Sequence, residues 1–126
     1  MVMRAPVRWA LLYALLIIGL SSIPGSSYPN VRLLSYDKVI HFSEYAIFGV
    51  LISRVLVVKF TSFWLVLLVV LLIAAVFGAA DEIYQRLIPG RDASVGDWVA
   101  DVAGSVAGSL VALRLTAKHD QAPLDQ

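Results

Sequence analysis

The chain has 126 residues, 60% hydrophobic and 15% charged, with a formal net charge of +1 and a mean hydropathy of +0.82. Soluble domains carry about 45–50% apolar and about 25% charged residues, so this composition excludes an ordinary soluble fold. The ten basic residues form no run that could track a nucleic-acid backbone, and the lack of cysteine removes disulfides, thiol nucleophiles and cysteine metal ligands together.

A spanning helix needs ~20 mostly apolar residues, which leaves room for about four spans and little else. The expected fold is all-α: a membrane-embedded bundle of four transmembrane helices over residues 1–117, with a polar, disordered tail over residues 118–126. The first segment is led by Arg4 and Arg8, runs from Trp9 to Ile23, and is closed by Ser21-Ser22-x-Pro24-Gly25-Ser26-Ser27. A secretory signal has the same shape, with Gly25 and Ser27 as small residues before a cleavage point. Because three more apolar segments follow, we read this one as a retained helix.

The second segment, Val39 to Val58, carries His41 and Glu44 in its first two turns and Arg54 near its other end. Charges this close to the interfaces can snorkel to water, whereas one at the bilayer centre costs roughly 2.5–3.5 kcal/mol on insertion scales. The third segment, Phe60 to Ala80, has no charge. Asp81 and Glu82 would oppose the macrodipole in a last turn, so the helix is expected to continue to about Leu87, where Pro89-Gly90 stops it. The fourth starts after Ser94, runs to about Leu115, and contains Gly104-x-x-x-Gly108, a spacing that lets two helix backbones approach closely. We read that contact as intramolecular.

Basic residues set the orientation. With a cytoplasmic amino terminus, Arg4, Arg8, Arg54, Lys59, Arg114 and Lys118 fall inside, and Arg32, Lys38, Arg86 and Arg91 outside. The positive-inside rule therefore favours both termini in the cytoplasm.

The acidic residues are unevenly placed. Seven of nine lie in two stretches, Asp37-Lys38-x-x-His41-x-x-Glu44-Tyr45 and Asp81-Glu82-x-x-Gln85-x-x-x-Pro89-Gly90-Arg91-Asp92-x-Ser94-x-x-Asp97-x-x-x-Asp101, which the orientation puts at the outer face. Asp37, His41, Glu44 and Phe48 share a helical stripe, as do Asp97, Asp101, Gly104 and Gly108, and as do Gly78, Glu82 and Gln85. Three helices thus offer polar stripes, and packing them together avoids facing charge to lipid.

Each member also has a structural reading. Ser94-x-x-Asp97 resembles a capping box, Asp37 could cap the second helix, Arg91 could neutralise Asp81 or Glu82, and Tyr45, Tyr84 and Trp98 read as aromatic-belt anchors. His41 and Glu44 place two metal-capable side chains on one face, but no second histidine lies within the membrane, so we assign no metal and no cofactor.

Taken together, Asp37-Lys38-x-x-His41-x-x-x-Tyr45, Asp81-Glu82-x-x-Gln85-x-x-x-Pro89-x-Arg91-x-x-Ser94-x-x-Asp97 and Gly104-x-x-x-Gly108 resemble the VanZ-like family of small bacterial membrane proteins over about residues 36–110. The resemblance implies a multi-pass protein of the bacterial cytoplasmic membrane, in a family named for a member associated with teicoplanin resistance. Asp101 stands where members commonly have Asn, which adds a carboxylate.

Two functions follow. In the first, the outward cluster binds or modifies an amphiphilic envelope component, a lipid-linked cell-wall precursor or a lipid headgroup. His41 would transfer protons, Glu82 or Asp97 would orient it, Lys38 and Arg91 would hold phosphate or carboxylate, and Gln85, Asp37 and Asp101 would complete the binding set. In the second, the cluster locks the bundle of a non-enzymatic scaffold or partner subunit. A proton path is incomplete, because the third helix carries no charge through its length in the bilayer.

Overall fold

The structure, a computed structural model, describes residues 4–27 and 34–120. Four helices account for nearly all of them: α1 Arg4–Ser21, α2 Leu34–Leu56, α3 Phe63–Gln85 and α4 Val95–Asp120, with a single 3-10 turn at Gly25–Ser27. Helices are what a chain this apolar must form in a bilayer, where every backbone N–H and C=O has to find its partner within the segment. Three of them, α2, α3 and α4, are long and apolar enough to cross a membrane, while the apolar part of α1, Ala5–Ser21, is shorter. Arg32 and the end of the expected tail, residues 121–126, lie outside the described residues. The tail's first three positions are not irregular as expected: α4 carries through to Asp120.

Boundaries follow local chemistry. Ser62 caps α3, accepting from the Leu65 N–H at 3.4 Å, and the chain before it turns through Phe60 N–H to Leu56 C=O at 2.8 Å. At the far end α3 does continue past Asp81 and Glu82, ending at Gln85 and unwinding through Leu87 and Ile88 into Pro89 and Gly90. Gly90 has φ +74°, a left-handed conformation that favours glycine, and the backbone of Gly25 packs directly against it.

The helices alternate in direction, which stacks the amino-terminal turns of α2 and α4 beside the carboxy-terminal turns of α1 and α3. Leu56, Val66, Val70 and Leu113 form an apolar cluster at the opposite end, and Ile17, Tyr45 and Phe48 form a second one in the middle. Phe48 stacks on Phe77 with ring centroids 5.0 Å apart. The most extensive helix pair is α2 with α4. A β-carbon on Gly104 would collide with the Phe42 carbonyl, and one on Gly108 with the Ala46 carbonyl. The small-residue spacing is therefore spent inside the chain, as expected. Ser105 Oγ adds a hydrogen bond to the Tyr45 carbonyl, and Ser53 Oγ lies 2.7 Å from both the Gly49 carbonyl and Ser109 Oγ.

On α3 the two faces divide cleanly. Trp64, Leu68, Leu72 and Val76, four residues apart, are exposed, while Val66, Val70, Ala74, Gly78, Asp81, Glu82 and Gln85 are buried. Apolar residues outside and carboxylates inside invert the soluble-protein pattern and match a lipid surround.

Candidate functional site

The polar stripes of α2, α3 and α4 meet, as their spacing predicts, at one end of the bundle. Lys38 and His41 come from the first two turns of α2, Asp81, Glu82 and Gln85 from the last turns of α3, and Asp97 and Asp101 from the first two turns of α4. His41 Nδ1 lies 2.9 Å from Asp101 Oδ1 and 4.0 Å from Glu82 Oε1. Lys38 Nζ donates to Asp97 Oδ1 at 2.9 Å, its side chain 43% exposed and that of Asp97 only 5%. The Ser94 N–H donates to Glu82 Oε2 at 2.7 Å, so a backbone group at the start of α4 holds one oxygen of a carboxylate on α3.

A second set of bonds runs among Ser21, Asp81, Gln85 and Arg91. Ser21 Oγ, on α1, donates to Asp81 Oδ2 at 2.8 Å, Gln85 Nε2 donates to the same oxygen at 3.0 Å, and an Arg91 guanidinium N–H donates to Gln85 Oε1 at 2.9 Å. Among the described residues, four buried side-chain polar atoms nonetheless have no hydrogen-bond partner: Asp81 Oδ1, Glu82 Oε1, Asp101 Oδ2 and Tyr45 Oη. A buried group without a partner costs about 1–3 kcal/mol. The cluster is buried yet incompletely paired, and its orphan atoms are nearly all acceptors that a cation or an N–H or O–H donor would satisfy.

A family model described as VanZ/LLP1 matches residues 5–116. The chain belongs to the VanZ/LLP1 family. The match takes in α1, which the motif resemblance alone left outside. No curated protein and no solved structure gave a significant match.

The site residues expected from the sequence of this VanZ/LLP1 protein can each be placed. His41, Glu82 and Asp101 converge, and Lys38 joins Asp97 beside them. Gln85 and Arg91 form a separate arm with Asp81 and Ser21. Asp37 is exposed in the first turn of α2, which begins three residues earlier at Leu34, so it does not cap that helix. The capping box is half made. Ser94 Oγ accepts from the Gly96 N–H at 3.1 Å, but Asp97 turns to Lys38 instead of back to Ser94, and Glu82 takes the Ser94 N–H in its place. Arg91 donates to Gln85 Oε1.

Tyr45 is not a belt anchor. It is fully buried between Phe48 and Phe77, one helical turn deeper than His41, because the small residues of α4 draw α2 close and turn that stripe inward. Tyr84 and Trp98 are half-buried and bonded within the protein, to Ser22 Oγ at 2.8 Å and the Ala75 carbonyl at 2.9 Å. The site residue that sequence reasoning missed is Ser21. Its signal was available in the Ser21-Ser22 pair ending an apolar helix, which needs polar partners at the depth where α3 carries Asp81.

Among the described residues of this VanZ/LLP1 protein, two triads bring metal-capable atoms within 4.8 Å of one another: His41, Glu82 and Asp101, all buried, and Asp37, His41 and Asp97.

Proposed function

We propose that this VanZ/LLP1 protein resides in the bacterial cytoplasmic membrane with α1 as a fourth span, both termini in the cytoplasm and the polar cluster facing outward, where it binds the headgroup of an amphiphilic envelope component. The orientation is supported by the basic residues: Arg8, Arg54, Lys59 and Arg114 gather at the bundle end away from the cluster. The headgroup reading is carried by the orphan carboxylate oxygens of Asp81, Glu82 and Asp101. A cluster that served only to join helices would pair those oxygens, since each one left without a donor destabilises the fold.

Lys38 supplies the other half of the recognition. It stands half-exposed at the edge of the cluster, a position from which an ammonium group can meet a phosphate arriving along the interface. Hydroxyl, amide or ammonium donors of the same headgroup would then reach the carboxylates behind it. Lipid-linked cell-wall precursors and phospholipids both combine a phosphate with such donors. His41, bonded to Asp101, is the group placed for proton transfer if the headgroup is also modified.

Native mass spectrometry of the full chain, solubilised and offered phosphatidylethanolamine or phosphatidylglycerol, tests the reading. One lipid should remain per chain, and K38A and E82Q should each lower its occupancy at least fivefold while the helical content stays unchanged. Occupancy indifferent to both substitutions would refute it.

A second reading, that the cluster is a lock, has its own observation. Ser21–Asp81 joins α1 to α3, Lys38–Asp97 and His41–Asp101 join α2 to α4, and Glu82–Ser94 joins α3 to the start of α4. The exchange K38D/D97K separates the two. A lock recovers the thermal stability lost in D97K alone and works normally, whereas a headgroup site recovers stability without recovering lipid retention.

A further inference from the structure

We propose that His41, Glu82 and Asp101 form a binding site for a divalent cation of the zinc and manganese class. The inference rests on reading the cluster as a ligand site, and it identifies a ligand that the buried part of that site would hold.

The donor set fits. One imidazole nitrogen and two carboxylate oxygens are a combination that zinc and manganese accept, and three protein ligands leave a coordination position open. Metal–ligand bonds of about 2.0–2.1 Å put tetrahedral donors about 3.3 Å apart. The observed separations bracket that value, at 2.9 Å from His41 Nδ1 to Asp101 Oδ1 and 4.0 Å from His41 Nδ1 to Glu82 Oε1. Each ligand comes from a different helix, α2, α3 or α4, so the packing of the bundle sets the spacing.

The pairing of the carboxylates points the same way. Glu82 is held through Oε2 by the Ser94 N–H, which leaves Oε1 directed toward His41, buried and without a hydrogen bond. Asp101, fully buried, has Oδ2 equally unpartnered. A bound cation would take Glu82 Oε1 and a carboxylate oxygen of Asp101 and offset two negative charges in a low-dielectric setting. It would replace the hydrogen bond between His41 Nδ1 and Asp101, with the bridging proton released to solvent. The Ser94 N–H would then orient a ligand from behind, as outer-shell donors do at metal centres.

The alternative triad of Asp37, His41 and Asp97 is less suited. Asp37 is exposed, and Asp97 Oδ1 already accepts from Lys38. Of the two triads, the buried one has the orphan acceptors.

The full chain in detergent, stripped with EDTA and dialysed against zinc or manganese chloride, should retain about one ion per chain by elemental analysis and unfold at a higher temperature than the stripped protein. H41A and E82Q should each bind at least tenfold more weakly, with helical content as in the wild type, and D37N should bind normally. Should H41A fail to fold, E82Q carries the test alone. Retention of less than a tenth of an ion per chain overturns the proposal, as does D37N losing the ion while E82Q keeps it. A wild-type chain that retains no ion yet keeps its lipid would refute the cation site and leave the headgroup reading standing.

Discussion

Tyr45 shows most directly how the cluster departs from ordinary core packing. Its ring is buried against Phe48 and Phe77, but its hydroxyl has no partner. Removing an unsatisfied buried hydroxyl removes a penalty, so Y45F should leave the ligand-free protein as stable as before or more stable by up to about 1 kcal/mol, read as an unchanged or raised Tm. A clear fall in Tm would mean that the hydroxyl is bonded after all. The same logic separates Ser21 from Tyr45. Ser21 Oγ donates to Asp81 Oδ2, whose companion oxygen is already an orphan, so S21A strips a donor from a buried carboxylate and should lower stability by about 1–3 kcal/mol in thermal or denaturant unfolding. Much of this was legible beforehand. His41, Glu82, Asp97 and Asp101 lie at helical spacings that fix which face they share, and that face is where they meet. Tyr45 was misread because an aromatic residue near an interface looks the same in sequence whether it faces lipid or core. Only the approach of α4, set by residues 56 and more positions away, decides between them.

At the level of elements, the pair α2 and α4 carries the fold. Its separation is set by backbone atoms, since the carbonyls of Phe42 and Ala46 occupy the places where side chains at 104 and 108 would begin. Backbone cannot swing aside as a flexible side chain can. G104A and G108A should each destabilise the bundle by about 1–3 kcal/mol, measured by thermal unfolding in detergent, and should weaken the cluster by moving Asp101 away from His41. G19A is the matched control: a β-carbon there meets nothing within 4 Å, and no loss of stability is expected. The sequence announced this contact through Gly104-x-x-x-Gly108, although it did not say which helix would answer. The continuation of α3 past Asp81 was also legible, because acidic residues fit poorly in a last helical turn. The capping of α4 was not, since a carboxylate from another helix displaced the local partner that the Ser94-x-x-Asp97 spacing offered.

For the molecule as a whole, alternation of the four helices gathers the polar residues at one end and leaves an apolar exterior. Orientation is then a single two-way choice. Because the chain contains no cysteine, single cysteines report on it without background. A cysteine at exposed Asp92, beside the cluster, should react with a membrane-impermeant maleimide on intact cells, while one at exposed Thr61, in the opposite connection, should react only after the membrane is opened. Four apolar segments and their order were readable from composition and length alone, but the start of α1 was not: the helix begins at Arg4, ahead of the apolar run that opens at Trp9. The central claim is that the cluster is built to receive a ligand and gives up stability to do so, a trade common at functional sites. E82Q tests it most directly, since glutamine can still accept from the Ser94 N–H while replacing the orphan oxygen with an N–H donor. In EDTA-stripped protein, E82Q should unfold at the same temperature as the wild type or higher and should lose lipid occupancy. A Tm several degrees lower, with lipid retained, would show that the carboxylate is there to hold the helices together.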